Sequence, residues 1–267
     1  MKTLNIAHRG GAALRPENTL AAFRHAIALG CDGAELDVQL SADGVVIVHH
    51  DFRLNPSLTR KEGVWLTDGT PRIKDLTFEG LQAFDLGRAD PGSDYARRHP
   101  LMEASEGARI PTLAEVCALS SPKPFTLLVE LKSSADPASA DPIALADAAL
   151  AVMQDHLDRT IFVGFDWRGL ARIKSRAPGA RCWFTTDKLP GEAAPVLDFI
   201  KAAGGDGWFP WHEDVTDVSV AAARARDLQV AAWTINEPVD MKRLLDLKLE
   251  AICTDRPDLL QAFEQRG

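Results

Sequence analysis

No stretch of the 267-residue chain approaches the ~18 uninterrupted apolar residues that a membrane-spanning helix needs, so no stable membrane insertion is expected. The start, Met1-Lys2-Thr3-Leu4-Asn5-Ile6-Ala7-His8-Arg9, lacks the apolar run of a secretory leader. The cytoplasm is the expected compartment, or the periplasm if a leader preceded this sequence and was trimmed. Cysteine is sparse: Cys31, Cys117, Cys182 and Cys253 lie far apart with no C-x-x-C pair, which excludes a disulfide scaffold and predicts reduced, buried thiols. Positive charge is in deficit, 30 Lys plus Arg against 38 Asp plus Glu for a net −8, so nucleic acid is not an expected partner. An anionic substrate would need a local positive site.

Hydrophobic residues make up 46% and charged residues 25%, the balance of a globular chain with a sizeable core. Short runs rich in Val, Ile, Leu and Phe alternate with segments of helical period, the signature of βαβ units and parallel strands. The predicted strands begin with Leu4–His8 and Ala34–Leu40. Asp43-Gly44 then turns the chain into Val45–His49, an accessory hairpin strand beside the second. Asn18 is the expected cap of a helix carrying Leu20, Phe23 and Ile27. From residue 52 to 110, Pro56, Gly63, Gly69, Pro71, Pro91, Gly92 and Pro100 punctuate a poorly periodic text.

Regular alternation resumes at Pro111, with later strands at Phe125–Leu131, Thr160–Phe165, Ala180–Phe184, Asp206–Phe209, Gln229–Thr234 and Ala251–Thr254. The hairpin strand aside, each strand is eventually followed by a helix, including Val215–Asp227 and Asp258–Gln265. The predicted fold is α/β, a (β/α)₈ TIM barrel with a small insertion after the second strand. Residues 1–51 and 111–267 would form the barrel, and 52–110 would pack on its rim. An open dinucleotide-binding sheet fails at its most specific point, since His8-Arg9-Gly10-Gly11-Ala12-Ala13 follows the first strand where G-x-G-x-x-G belongs.

Alternation along the second strand puts Ala34, Leu36 and Val38 on one face and Glu35, Asp37 and Gln39 on the other. The third barrel strand adds Glu130 and Lys132 on the inward face. Two acids so close repel unless a cation lies between them, and three all-oxygen ligands suit one divalent cation, Mg²⁺ or Ca²⁺. A charge-balanced network with Lys132 is the bland reading, but the cluster stays negative even with that lysine. His8 ends a strand and His50 follows the hairpin strand; two such histidines on one rim, beside Arg9, suit general acid and base work. His49 competes with His50 for that role, and Asp51 offers His50 a partner. Arg9 and Lys132 suit a phosphate, and Trp233 can wall a carbon chain. His25, His99, His156 and His212 read as surface residues.

These residues stand in a familiar order: His8-Arg9-Gly10, Pro16-Glu17-Asn18-Thr19, Glu35-x-Asp37-Val38-Gln39, Asp43-Gly44, Val48-His49-His50-Asp51, Ile110-Pro111-Thr112-Leu113, Glu130-x-Lys132, Trp233-Thr234-Ile235-Asn236 and Thr254-Asp255-x-Pro257. The chain resembles the glycerophosphodiester phosphodiesterase family over residues 8 to 257. The resemblance implies a metal-dependent hydrolase that converts a glycerophosphodiester, its small-molecule partner, to glycerol 3-phosphate and an alcohol. By the same resemblance His8 and His50 are the acid and base, Glu35, Asp37 and Glu130 hold the divalent ion, Arg9 and Lys132 bind phosphate, and Trp233 lines the glycerol side. It also selects His50 over His49. Competing readings are lysophospholipase D-like action on lipid head groups, a Schiff-base aldolase built on Lys132, and a silent binding barrel.

Overall fold

Residues 2–264 are described by a computed structural model. The chain begins with β1 (Leu4–Ala7), β2 (Gly33–Leu40) and β3 (Val46–Val48). Three two-residue strands follow, β4 (Arg60–Lys61), β5 (Val64–Trp65) and β6 (Phe84–Asp85). The remainder supplies β7 (Thr126–Leu131), β8 (Thr160–Gly164), β9 (Arg181–Thr186), β10 (Gly207–Pro210), β11 (Gln229–Ala232) and β12 (Ala251–Thr254). Eight of these run parallel in the order β1-β12-β11-β10-β9-β8-β7-β2, and pairing of β2 back to β1 closes a TIM barrel. The hairpin strand β3 lies antiparallel to the far end of β2, with Val38 opposite Val48, as the Asp43-Gly44 turn predicts.

The period-2 pattern sorts the side chains. Ala34, Leu36 and Val38 of β2, with Leu127, Val129 and Leu131 of β7, join Phe23, Leu145 and Leu170 in the layer between sheet and helices. The opposite faces fill the barrel with Ile6, Leu128, Ile161, Trp183 and Phe209. Each such side chain, fully buried, contributes roughly 1.5–3 kcal/mol. Two residues beyond Leu128 the inward position of β7 is Glu130, directly opposite Asp37 of β2, so the lining turns acidic toward the strand C-termini. In this architecture chemistry belongs at that end.

Several boundaries differ from the sequence pattern, and those near the start of the chain and at the ends of β8 and β11 shape the barrel mouth. Strand β1 stops at Ala7, because His8–Gly10 coil into a tight turn with Arg9 at φ 50° and Gly10 at φ 82°. A Cβ on Gly10 would stand 2.7 Å from Ala22 Cβ, so only glycine fits there. Asn18 does not cap the first helix. Thr19 does, accepting the Ala22 N–H, while Asn18 adopts φ 56° and sends its amide to Asp37. Strands β8 and β11 end one and two residues early, freeing Phe165 and Trp233 for the rim. The helix expected over Val215–Asp227 spans Asp217–Arg224, closed at its start by a Thr216–Ser219 capping box. The final helix is Pro257–Glu264; Gln265, expected to end it, lies outside the described residues.

The 52–110 segment carries β4–β6 as a small antiparallel sheet. Its Leu54, Ile73, Leu81 and Phe84 share one apolar cluster with Ile47 of β3. A second cluster holds Leu58, Ala89 and Tyr95. Among the described residues no helix is long and apolar enough to cross a membrane.

Candidate active site

The turn after β1 puts His8 at the mouth of the barrel. Its Nδ1 lies 2.7 Å from Oδ1 of Asp255, which follows β12, and the Asn236 amide donates to the other Asp255 oxygen at 2.7 Å. Burial would push the Asp255 carboxyl up, but His8 and Asn236 hold it down at about 2. An ionised carboxylate only accepts, so the His8 proton resides on Nδ1 and Nε2 is left toward the acids, 3.8 Å from Glu35 Oε2.

Arg9 is held by its backbone as well as by its side chain. Its N–H donates to Glu35 Oε2 at 3.1 Å, its carbonyl accepts from the Asn18 N–H, and its Nη1 donates to Glu17 Oε1 at 3.0 Å. These contacts support a non-glycine residue in the left-handed region. Burial opposes the guanidinium charge, but Glu17, Asp37, Glu35 and Asp255 outweigh it and raise the pKa above the ordinary arginine value.

Glu35, Asp37 and Glu130 are all buried, and one oxygen from each lies within 4.8 Å of the others. Glu35 Oε1 and Asp37 Oδ1 have no hydrogen-bond partner. Burial, then the charges of Asp37 and Glu130, push the Glu35 carboxyl well above the usual range. Burial acts in the same direction on Asp37, but His50, Arg9, Lys132 and the Asn18 amide together hold it below its ordinary value. Two buried carboxylate oxygens without a hydrogen bond, within one acidic triad, fit a divalent cation of the oxygen-seeking kind.

Lys132 donates to Glu130 Oε1 at 2.8 Å and lies 3.7 Å from Asp37 Oδ1. Burial opposes its charge, yet Glu130 and Asp37 prevail and keep the ammonium protonated, the opposite of the neutral amine that Schiff-base chemistry needs.

His50 leaves β3 with Nδ1 2.7 Å from Asp51 Oδ1, and Asn55 donates to the second Asp51 oxygen. The loop is fixed by Gln39, whose amide nitrogen lies 2.7, 3.2 and 2.8 Å from the carbonyls of His49, His50 and Asp51. His49 faces the other way, buried, with Nε2 3.4 Å from the Arg53 carbonyl. Trp233 anchors its indole N–H on the Phe209 carbonyl and meets Phe165 and Trp211 edge-on, at 5.3 and 5.2 Å between ring centres.

The structure thus brings His8, Arg9, Glu35, His50, Glu130, Lys132 and Trp233 onto one cavity of about 190 Å³, with Asp37 buried behind them. Comparison with known proteins gives the family: residues 8–259 match the model of the glycerophosphoryl diester phosphodiesterase family. The chain belongs to that family.

A glycerophosphodiester phosphodiesterase of Caldanaerobacter subterraneus is 30% identical over the whole of both chains. A crystallised Silicibacter pomeroyi protein assigned as a glycerophosphoryl diester phosphodiesterase superposes with a TM-score of 0.89 at 32% identity, covering 98% of this chain and 92% of its own. An Oleispira antarctica phosphodiesterase, solved with its product sn-glycerol-3-phosphate, gives a TM-score of 0.77 at 25% identity over 96% and 94% of the two chains.

Within this glycerophosphoryl diester phosphodiesterase fold, some residues have site contacts that the sequence reading did not assign. Asp255, Asn236, Glu17, Asn18 and Gln39 stand in the family motifs, and the motifs were the signal; Gln39 also had its inward position on β2. Trp211 and His212 carry no sequence signal. His212 is not a surface residue as expected, since its side chain is only 14% exposed and stacks beside Trp211.

Proposed function

We propose that this phosphodiesterase hydrolyses glycerophosphodiesters to glycerol 3-phosphate and an alcohol with the help of one divalent cation, Mg²⁺ or Ca²⁺. The observation that carries the reading is the meeting, on one small cavity, of a buried acidic triad, two basic side chains and two histidines that each have a carboxylate at Nδ1. The product complex of the Oleispira antarctica relative supports the substrate class.

Glu35, Asp37 and Glu130 would hold the cation, which when bound supplies positive charge against the phosphoryl oxygens. Arg9 offers its planar fork to the phosphate and Lys132 its point charge. With Nδ1 occupied by Asp255, His8 has Nε2 free to move a proton. His50 is matched to the same task by Asp51, so one ring activates the nucleophile while the other protonates the leaving alkoxide. Phe165 and Trp233 cover the glycerol carbons. Residues 1–51 and 111–267 form the catalytic barrel in this reading, and 52–110 an insertion on its rim.

The test is release of glycerol 3-phosphate from a panel of glycerophosphodiesters, with EDTA and with Mg²⁺ or Ca²⁺ restored. Release that chelator stops and metal restores is the expected result. Turnover indifferent to chelator would overturn the metal assignment, and no release with either metal would overturn the substrate class.

A further inference from the structure

We propose that Tyr95, carried by the segment between β5 and β7, is a positioning residue for the phosphate-binding guanidinium of Arg9 and acts through Glu17. The inference rests on Arg9 being a phosphate ligand.

Tyr95 is the only tyrosine in the chain. It sits on the short helix Asp94–Arg98, its ring packed among Leu58 and Ala89 and stacked on His99 at 4.2 Å between ring centres. Only 9% of the residue is exposed, so the ring has one setting. Its hydroxyl donates to Glu17 Oε2 at 2.6 Å, and the other oxygen of that carboxylate receives Arg9 Nη1 at 3.0 Å. Glu17 therefore bridges a phenol and a guanidinium, one oxygen to each. Burial and the Glu17 charge push the phenol well above its ordinary range, so it remains a donor throughout the working pH of an enzyme.

This bridge has a task because Arg9 is contested. Its Nε lies 3.3 Å from Asp37 Oδ2, and Glu35 and Asp255 also attract it. An unrestrained guanidinium would settle onto the acidic triad, where it would compete with a cation and turn its fork away from a phosphate. Glu17 pulls from the other side, and it can do so only while its own carboxylate is oriented. The Tyr95 hydroxyl supplies that orientation from 78 residues away, so phosphate affinity depends on how the 52–110 segment docks.

A double-mutant cycle tests this with one glycerophosphodiester as substrate and sn-glycerol 3-phosphate as competitive inhibitor. Tyr95→Phe keeps the ring and removes only the donor. It is expected to raise KM and the inhibition constant together by about tenfold, the scale of one charge-assisted hydrogen bond, while kcat moves less than about threefold. In an Arg9→Ala background the same change should have no further effect, and Glu17→Gln should behave like Tyr95→Phe in both backgrounds. Wild-type kinetics in Tyr95→Phe, or effects of Tyr95 and Arg9 that multiply, would overturn the positioning role and leave the phosphate role of Arg9 standing. Unchanged KM and inhibition in Arg9→Ala would instead remove that role, and the inference with it.

Discussion

Asp255 and His8, 247 residues apart in sequence, stand 2.7 Å apart at the mouth of the barrel. The carboxylate fixes which imidazole nitrogen is free. In Asp255→Asn the amide can donate to Nδ1 and drive the proton onto Nε2, the nitrogen that the proposed proton transfer uses. The expected loss in kcat is about 10²- to 10⁴-fold with circular dichroism unchanged. A loss under threefold would mean that the ring needs no such partner.

Acid should reveal the same pair by another route. Asp255 is held at about 2 in the folded protein and returns to its ordinary ~3.9 when unfolded. Its carboxylate therefore stabilises the fold by roughly 2 kcal/mol above that unfolded value, and the contribution fades as pH falls through about 2. Urea midpoints of the wild type and Asp255→Asn should converge as pH drops from 5 toward 2.5. A constant gap would assign the stabilisation to packing alone.

Neighbouring histidines should have opposite phenotypes. His50→Ala is expected to lower kcat by at least ~10² and leave the melting temperature nearly unchanged, because the side chain is 31% exposed. His49→Ala removes a buried ring, so it should cost about 1–3 kcal/mol of stability while retaining turnover. The reverse pattern would exchange their roles.

Divalent cation binding is readable without any substrate. Mg²⁺ or Ca²⁺ at 100 times its Kd should stabilise the fold by about 2.7 kcal/mol, seen as a rise in melting temperature. Glu35→Gln should abolish that rise. A response undiminished in the variant would locate the ion elsewhere.

Thiol chemistry offers a control on the core. Burial pushes Cys31 and Cys182 up to about 12, and Cys117 and Cys253 are also buried and raised. The native protein should resist a thiol reagent at pH 8, and all four cysteines should react in denaturant. Rapid labelling of the native chain would show that the barrel opens.

The barrel was legible because alternation along Ala34–Leu40 and Phe125–Leu131 is a local property, and it correctly sent Glu35, Asp37 and Glu130 inward. Opposite faces for His49 and His50 follow from the same period. Less legible were residues whose partners come from distant segments. Asn18 reads as a helix cap because Asn is a good one, and nothing nearby in sequence announces that Asp37 takes its amide instead. Gln39 sits on the predicted inward face, but its grip on three loop carbonyls exists only once β3 folds back. Phe165 and Trp233 extend their strands by composition, whereas β8 ends before Phe165 and β11 before Trp233, which keeps only a single bridge to Trp211 at the open mouth of the barrel.

Closure of the ring gives turnover a second meaning. Strand β1 pairs with β12 from Leu4–Ala251 to Ala7–Thr254, and the Asn5 amide reaches the Pro257 carbonyl. The first and last strands of the barrel therefore share one seam, and the carboxylate that meets His8 Nδ1 follows directly after β12. A chain that stops before β12 keeps Glu35, Asp37, His50 and Glu130 and lacks the Asp255 partner of His8. On the proposed proton-transfer role of His8, hydrolysis counts only molecules in which β1 and β12 have paired, and during refolding it should lag signals that follow the middle of the barrel.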